Sequence, residues 1–417
     1  MWRKGFARRE FFFTRRPPLI SPAVGFLTTV PDPARHFAAR LPGRHAITTF
    51  RAQTVKVAHV IHGLEVGGLE RLVVDLAARS RAFGVDPSLV AFGDDGPVRA
   101  WAEAAGVAVI PLGPLRGLRP EAIRRLGGAL SGFSVAHAHD LGPWLNAVAA
   151  RALSPRTRVL ATFHQIASPT GPKRGAARLG ARVSSALVAC GAEVRAELRG
   201  WAPPGTPVVT IGNGVALPGP ATPEQRARAR ARIGLPDSAV AIGYLGRMHP
   251  EKGPDLLVEA MLRHLRDVPQ AHLVLVGRGP LDESLRAATA PLGPRAHLLG
   301  EVVEGAADLL AGLDIYAQPS RREGRSLAML EAMAAGLPTV AHRLPAVAEL
   351  HPEDTTAVLV ALEDVDALGA ALLALVGDPA RRRSLGQAAR ARVSAFSMEA
   401  MVEAYVRLWR ASVPGRA

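Results

Sequence analysis

From residue 55 onward, short apolar runs alternate with longer stretches whose apolar positions recur every three to four residues. Residues 55–61 (VKVAHVI) read as a strand, 62–68 as a loop and 69–83 as an amphipathic helix, which is one βα unit. Strands at 88–92, 107–111, 135–138, 158–163 and 186–189 and helices at 99–105, 144–152 and 193–199 extend the series. A Gly- and Pro-rich text (NGVALPGPATPEQR) then reads as a linker. Beyond it, strands at 239–245, 272–276, 296–298, 314–318 and 339–341 alternate with helices at 254–265, 281–288 and 306–311. Helices at 365–375, 379–393 and 397–409 close the chain. Apolar strands joined through helices predict α/β domains with parallel sheets. The expected organisation is a basic extension over 1–54, a first domain over 55–215, a linker over 216–236, a second domain over 237–395 and a terminal helix over 396–417.

One helix departs from simple apolar patterning. The text PSRREGRSLAMLEAMAAGLP, residues 319–338, sets Glu323 in a glycine-bearing loop and Glu331 inside an otherwise apolar helix. A helix that is apolar on nearly every face is expected to be buried, and a buried carboxylate needs a charge or hydrogen-bond partner. Ser326 marks the helix start, and Gly336 with Pro338 marks its end. The loop therefore leaves the carboxyl end of a strand and feeds a helix N-terminus, where open α/β sheets bind anions and nucleotides. From Ser326 to Glu331 the rise is roughly 7 Å, which suits a diphosphate at the helix start and a sugar hydroxyl beside Glu331.

The charge balance changes the picture less than its size suggests. The net charge is +15, but residues 1–54 hold 10 basic against 2 acidic side chains and carry +8 of it. A nucleic-acid partner is therefore not expected, and the extension reads as disordered or as lying upstream of the true start. Its apolar pieces are interrupted by Arg15, Arg16, Pro17, Pro18 and Pro22, which argues against an export signal. No later stretch approaches the ~20 apolar residues that span a bilayer. The single cysteine, Cys190, lies in an apolar run, reads as a buried structural thiol, and suits a reducing cytoplasm.

Several loops carry candidate chemistry. Residues 245–253 (LGRMHPEKG) place Arg247 and Lys252 after the first strand of the second domain; Lys252 is one of 4 lysines against 47 arginines, so a compact point charge is wanted there. Residues 62–70 (HGLEVGGLE) bring Gly67 and Gly68 to a strand–helix turn, where a backbone can approach a phosphate or sugar. His62, His137, His139 and His164 lie at strand ends; His137 reads as structural, and His164 (ATFHQ) is the functional candidate. Asp364 and Asp366 are the candidate metal pair, though acids at that point complement a helix dipole. Arg174, Arg178 and Arg182 form a helical stripe that fits either water or an anionic lipid surface.

Taken in order, HGLEVGGLE, ATFHQ, IGNGV, GRMHPEKG, LVGRGP and PSRREGRSLAMLEAMAAGLP resemble the retaining glycosyltransferases of family four. The resemblance spans residues 55 to about 410 and implies the GT-B fold, two Rossmann-like domains facing across a cleft, with the last helix crossing back. It implies that Arg247, Lys252 and the amides near Ser326 and Leu327 bind the diphosphate of a nucleotide-sugar donor. Glu331 would take the ribose, Glu323 the sugar hydroxyls, and Gly67 and Gly68 would approach from the first domain. His164 would stand at the reacting centre, and Glu304 lies in the loop where relatives contact the base. No metal or other cofactor is implied. The acceptor would be a glycan or lipid-linked intermediate, handled in the cytoplasm with peripheral contact at the inner membrane surface.

Two features depart from that family: Arg325 stands where an aromatic or aliphatic residue is common, and HRLPAVAE (342–349) lacks a frequent glycine pair. Rival readings are a GT-B epimerase, a phosphorylase, or an inactive nucleotide- or glycan-binding module. A dehydrogenase with Asp94 as ribose acid lacks the glycine spacing.

Overall fold

In this computed structural model, residues 54–413 are described apart from 115, 116, 166, 167, 304, 353 and 354. The apolar runs become two parallel sheets. The first holds β1 (Val55–Ile61), β2 (Val85–Ala91), β3 (Ala108–Pro111), β4 (Val135–His139), β5 (Arg158–Phe163), β6 (Ala186–Ala189) and β7 (Val208–Thr210) in the order β3-β2-β1-β4-β5-β6-β7. The second holds β8 (Val240–Leu245), β9 (Ala271–Val276), β10 (Ala296–Gly300), β11 (Ile315–Gln318), β12 (Thr339–His342) and β13 (Ala357–Val360) in the order β10-β9-β8-β11-β12-β13. In each sheet the chain winds outward on one side and then reverses, so β1 pairs β4 and β8 pairs β11. At such a reversal neighbouring loops leave in opposite directions and open a crevice at the carboxyl edge.

Helices α1 (Gly68–Ser80), α2 (Pro97–Ala104), α3 (Pro120–Leu130), α4 (Leu141–Ala150), α5 (Pro172–Val183) and α6 (Ala192–Trp201) cover the first sheet, and α7 (Pro223–Ile233) follows. The second sheet carries α8 (Pro254–His264), α9 (Asp282–Thr289), α10 (Leu327–Ala334), α11 (Pro345–Leu350), α12 (Val365–Gly377) and α13 (Pro379–Val393), with α14 (Met398–Ser412) last.

The segment read as a linker contains α7, which Thr222 and Gln225 cap reciprocally. Arg226 and Arg230 of α7 pair with Asp314 beside β11 at 2.7 and 3.3 Å, which fastens the segment to the second sheet. Helix α3 had no sequence expectation, because Gly127 and Gly128 lower its helix propensity although its buried positions Ala122, Leu126, Gly127 and Leu130 keep the helical period. Strand β2 begins at Val85, not 88; β3 pairs with it only from Ser88, so Pro87 forfeits no ladder bond to that neighbour. The extension expected over 1–54 lies outside the described residues, Thr54 excepted.

Helix α14 returns to the first sheet. Ser397 caps it, Val215 and residues 396–398 exchange backbone bonds of 2.9 Å, and Met401, Val402, Tyr405, Val406 and Trp409 pack with Val57, Val135, Leu160 and Val188. Trp409 is fully buried against the rings of His59 and His137. Trp409→Ala is therefore expected to cost about 3–5 kcal/mol in urea unfolding; a loss below about 1 kcal/mol would show that this contact does not anchor the helix.

Candidate functional site

The carboxyl edge of β11 builds one wall of the cleft. Ser326 caps α10 by accepting from the Met329 N–H at 3.1 Å, and its hydroxyl donates to Gln318 Oε1 at 2.8 Å. Gln318 Nε2 in turn donates to Glu323 Oε2 at 2.8 Å, and Ser320 Oγ does so at 3.2 Å. Lys252 Nζ donates to both Glu323 oxygens at 2.8 Å. A carboxylate that is only 7% exposed is thus held by a cation and two neutral donors. The loop carrying Lys252 can lie this close because Gly253, at φ 69°, has no side chain; a Cβ there would meet Pro319 O at 1.9 Å.

The opposite wall comes from β1, β4 and β5. Gly67 caps α1, and a Cβ on Gly68 would lie 3.4 Å from Leu327 Cδ1, so the two helix starts nearly touch. Asp140, after β4, has φ 68° and ψ 175°, a conformation unusual for a residue with a side chain. Its Oδ1 accepts the His164 N–H at 2.9 Å. Burial lowers the pKa of His164, opposed by the charge of Asp140 and by Asn213.

Between these walls lie two connected chambers of about 500 and 440 Å³. His164, Glu323, Lys252 and Ser326 line the first, Glu331 lines the second, and Gly67, Gly68, Arg247 and Leu327 line both. Glu304 lies outside the described residues; its neighbours Val302 and Val303 line the second chamber. Asp94 lines neither chamber. The structure therefore gathers nine of the ten sequence candidates into one cleft.

The details differ from expectation in several ways. Glu331 is half-buried, with its open side in the second chamber beside Arg71 and Asp75. Burial raises its pKa, Arg71 opposes that shift and Asp75 adds to it. Lys252 and Glu323, expected to serve different parts of a ligand, hold each other. His137 and His139 lie within β4 and are buried, since the strand runs to His139. Asp364 caps α12 by accepting from Ala367 N at 2.8 Å, and Asp366 pairs with Arg263 and His264. Cys190 is buried as expected, and burial pushes its thiol up to about 12.

Sequence reasoning missed three participants. Asp140 was legible only as the end of VAHAHD, and its backbone strain is a tertiary property. Arg71 follows Gly67 and Gly68 by one helical turn and reaches Glu331 from the other half. Arg325, noticed as a departure, is buried, pairs with Glu349, and lies over the Phe396 ring at 5.1 Å. Glu349 also accepts the Ala192 N–H of α6 at 3.0 Å, and Asn213 donates to Arg325 O at 3.0 Å, so this arginine ties the two sheets' loops together.

Comparison with known proteins agrees with this architecture. Residues 239–378 match the family model described as glycosyl transferases group 1, and residues 66–217 match glycosyltransferase family 4. The chain is 34% identical over 193 residues to a GDP-mannose-dependent monoacylated alpha-(1-6)-phosphatidylinositol monomannoside mannosyltransferase of Corynebacterium glutamicum, covering 44% of this chain and 50% of that protein. It is 31% identical over 202 residues to a D-inositol 3-phosphate glycosyltransferase of Segniliparus rotundus, covering 47% and 45%. The chain thus spans about half the length of the curated relatives it matches. Anabaena HepE in complex with UDP and glucose superposes with a TM-score of 0.77 at 19% identity, over 86% of this chain and 100% of that one. A sucrose-phosphate synthase from Thermosynechococcus elongatus gives 0.70 at 22% identity, over 86% and 98%.

The Lys252–Glu323 pair sets a stability test. Lys252→Met leaves a nearly buried carboxylate with neutral donors alone, which is expected to cost about 2 kcal/mol, a figure reduced for the partial exposure of Lys252. Adding Glu323→Gln should recover about half of that in a double-mutant unfolding cycle; strict additivity would mean the pair is uncoupled.

Proposed function

We propose that this chain, which belongs to the family 4 glycosyltransferases of the GT-B fold, moves a sugar with retention of anomeric configuration from a nucleotide-diphosphate donor to a glycan or lipid-linked acceptor. The observation that carries this reading is the convergence of Arg247, Lys252 and the α10 N-terminus on one cleft, with Glu323 held by Lys252 on the same wall and His164 on the opposite one. Breaking the anomeric C–O bond sends its electron pair to the diphosphate. Two cations and a helix N-terminus neutralise that charge where it develops, which lowers the barrier without a metal. Lys252 has three donors, so it can hold Glu323 and still meet a phosphate oxygen.

In this reading Glu331 accepts from the ribose hydroxyls, Glu323 orients the transferred sugar, and His164 stands beside the reacting carbon. Gly67 and Gly68 let the first half approach the donor closely. The acceptor oxygen attacks the face that the diphosphate leaves, and its proton passes to a phosphate oxygen. Relatives of 34% and 36% identity are GDP-mannose-dependent, which makes GDP-mannose the first donor to test, with UDP-glucose second because HepE binds UDP and glucose.

The partner surface is also part of the proposal. Arg174, Arg178 and Arg182 are exposed on α5, beside an apolar groove whose Leu118 and Leu179 are 47% and 61% exposed. Cations rimming exposed apolar side chains suit an anionic lipid surface. No described helix is long and apolar enough to cross a membrane.

Lys252→Ala or Glu323→Ala is expected to lower kcat at least about a hundredfold in a sugar-transfer assay with acceptor, whereas Glu331→Gln should raise the donor KM roughly tenfold and leave kcat nearly unchanged. Near-wild-type turnover in the first two variants would refute the assignment. Reversing the three arginines to glutamate should weaken sedimentation with vesicles containing phosphatidylglycerol at least about tenfold, and equal binding would remove the lipid surface from the proposal.

A further inference from the structure

We propose that His139 and His59 are positioning residues that hold the His164 ring in one orientation and one tautomer, with its Nδ1–H turned toward the substrate. The inference rests on the transfer reaction proposed above. His139 Nδ1 lies 3.1 Å from His164 Nε2, and His139 Nε2 lies 3.2 Å from His59 Nδ1. The three rings stack in a row, with centroids 5.4 and 5.5 Å apart and planes within 25°. His59 and His139 are buried on the paired strands β1 and β4 and line neither chamber of the cleft. A continuous file of imidazoles thus leads from the core beneath α14 to the cleft.

A neutral imidazole has one donor and one acceptor nitrogen, so such a file can be polarised in only two ways. In the outward sense, His59 Nδ1–H donates to His139 Nε2, and His139 Nδ1–H donates to His164 Nε2. His164 then carries its proton on Nδ1. In the inward sense every bond reverses, and His59 is left with an N–H at Nε2. That atom is buried without a hydrogen-bond partner, in a ring packed edge-on against Trp409 at 5.4 Å. Either sense leaves one end of the file, His59 Nε2 or His164 Nδ1, as an N–H without a partner in the protein; only His164 lines the cleft, where a ligand oxygen can accept that bond, and this selects the outward sense. His164 Nδ1 is buried and makes no hydrogen bond of normal geometry in the protein; Asn213 lies nearest to completing one, and a hydroxyl or phosphate oxygen entering the first chamber would supply the acceptor.

The backbone supports the same placement. The strained Asp140 accepts the His164 N–H, and a conformation of that kind costs about 1–3 kcal/mol, so it persists only where surrounding contacts enforce it. The file does not store a proton, because burial holds the far ring, His59, neutral down to about 3. It transmits orientation, not charge. His137 lies beside the file and bonds separately to Thr162 Oγ1 at 2.8 Å, which meets Tyr405 OH at 2.9 Å. His59, His137 and His139 also offer nitrogens within 4.8 Å of one another, as a metal site would, yet both nitrogens of His139 are already engaged with neighbouring rings.

The test is imidazole nitrogen NMR on the full chain labelled with ¹⁵N-histidine, with His164 assigned through His164→Gln. The wild type is expected to show His164 protonated on Nδ1, and His59→Phe is expected to give a mixture of tautomers. The same variant touches no part of the cleft, yet should lower kcat roughly tenfold with donor KM unchanged within twofold. If His59→Phe does not fold, His139→Phe serves in its place, and the wild-type spectrum decides by itself. An Nε2–H tautomer at His164, an unchanged spectrum in the variant, or one equivalent of tightly bound zinc in the purified chain would overturn the proposal. The expected tautomers without sugar transfer to any acceptor would sink the transfer reading alone and leave the positioning role standing.

Discussion

The cleft depends on the last helix lying on the first sheet. Helix α14 begins beside the second sheet's final helix and buries Tyr405 and Trp409 against the first sheet, where each large ring contributes on the order of 2–3 kcal/mol by burial. The backbone exchange between Val215 and residues 396–398 ties the two connections between the halves into one junction. This contact fixes how the carboxyl edges of β1, β4, β8 and β11 face each other. It also seals the imidazole row, because His59 and His137 occupy the sheet face that α14 covers.

Charge is managed differently on the two walls. On the second half, Glu323 is satisfied internally and held rigid by Gln318, Ser320 and Lys252, while Arg247 stays exposed at the mouth of both chambers. The first half contributes one arginine, Arg71, to the second chamber and no lysine or arginine to the described lining of the first. It brings glycines, the Asp140 carboxylate and neutral imidazoles instead. Such a division concentrates positive charge on one wall of the first chamber.

Much of the architecture was legible, because a strand buried on both faces must be continuously apolar and a helix must repeat at 3.6 residues. The loops at 62–68, 246–253 and 319–326 could be found for the same reason: each had to follow a strand. Elements that were missed are short or interrupted, as with β7, β13 and the glycine-bearing α3. Pairings across the fold left no local trace. Lys252 and Glu323 are 71 positions apart, and Arg71 and Glu331 line one chamber from different halves of the chain. Arg325 announced itself as an oddity, yet its partners Glu349 and Phe396 belong to elements whose approach no spacing rule predicts.

A core that hides neutral histidines also has an acid limit. Burial lowers the pKa of His59, His137, His139, His164 and His351, to about 3 for His59 and about 4 for His351. Below about pH 6.5 the unfolded chain binds protons that these native rings refuse, so stability is full above that value and falls as pH drops toward the folded pKa. Each ring removes up to about 1.4 kcal/mol per pH unit in that window. Against the 5–15 kcal/mol of a typical domain, a few such rings make the imidazole file a point from which acid dissolves the seam between α14 and the first sheet.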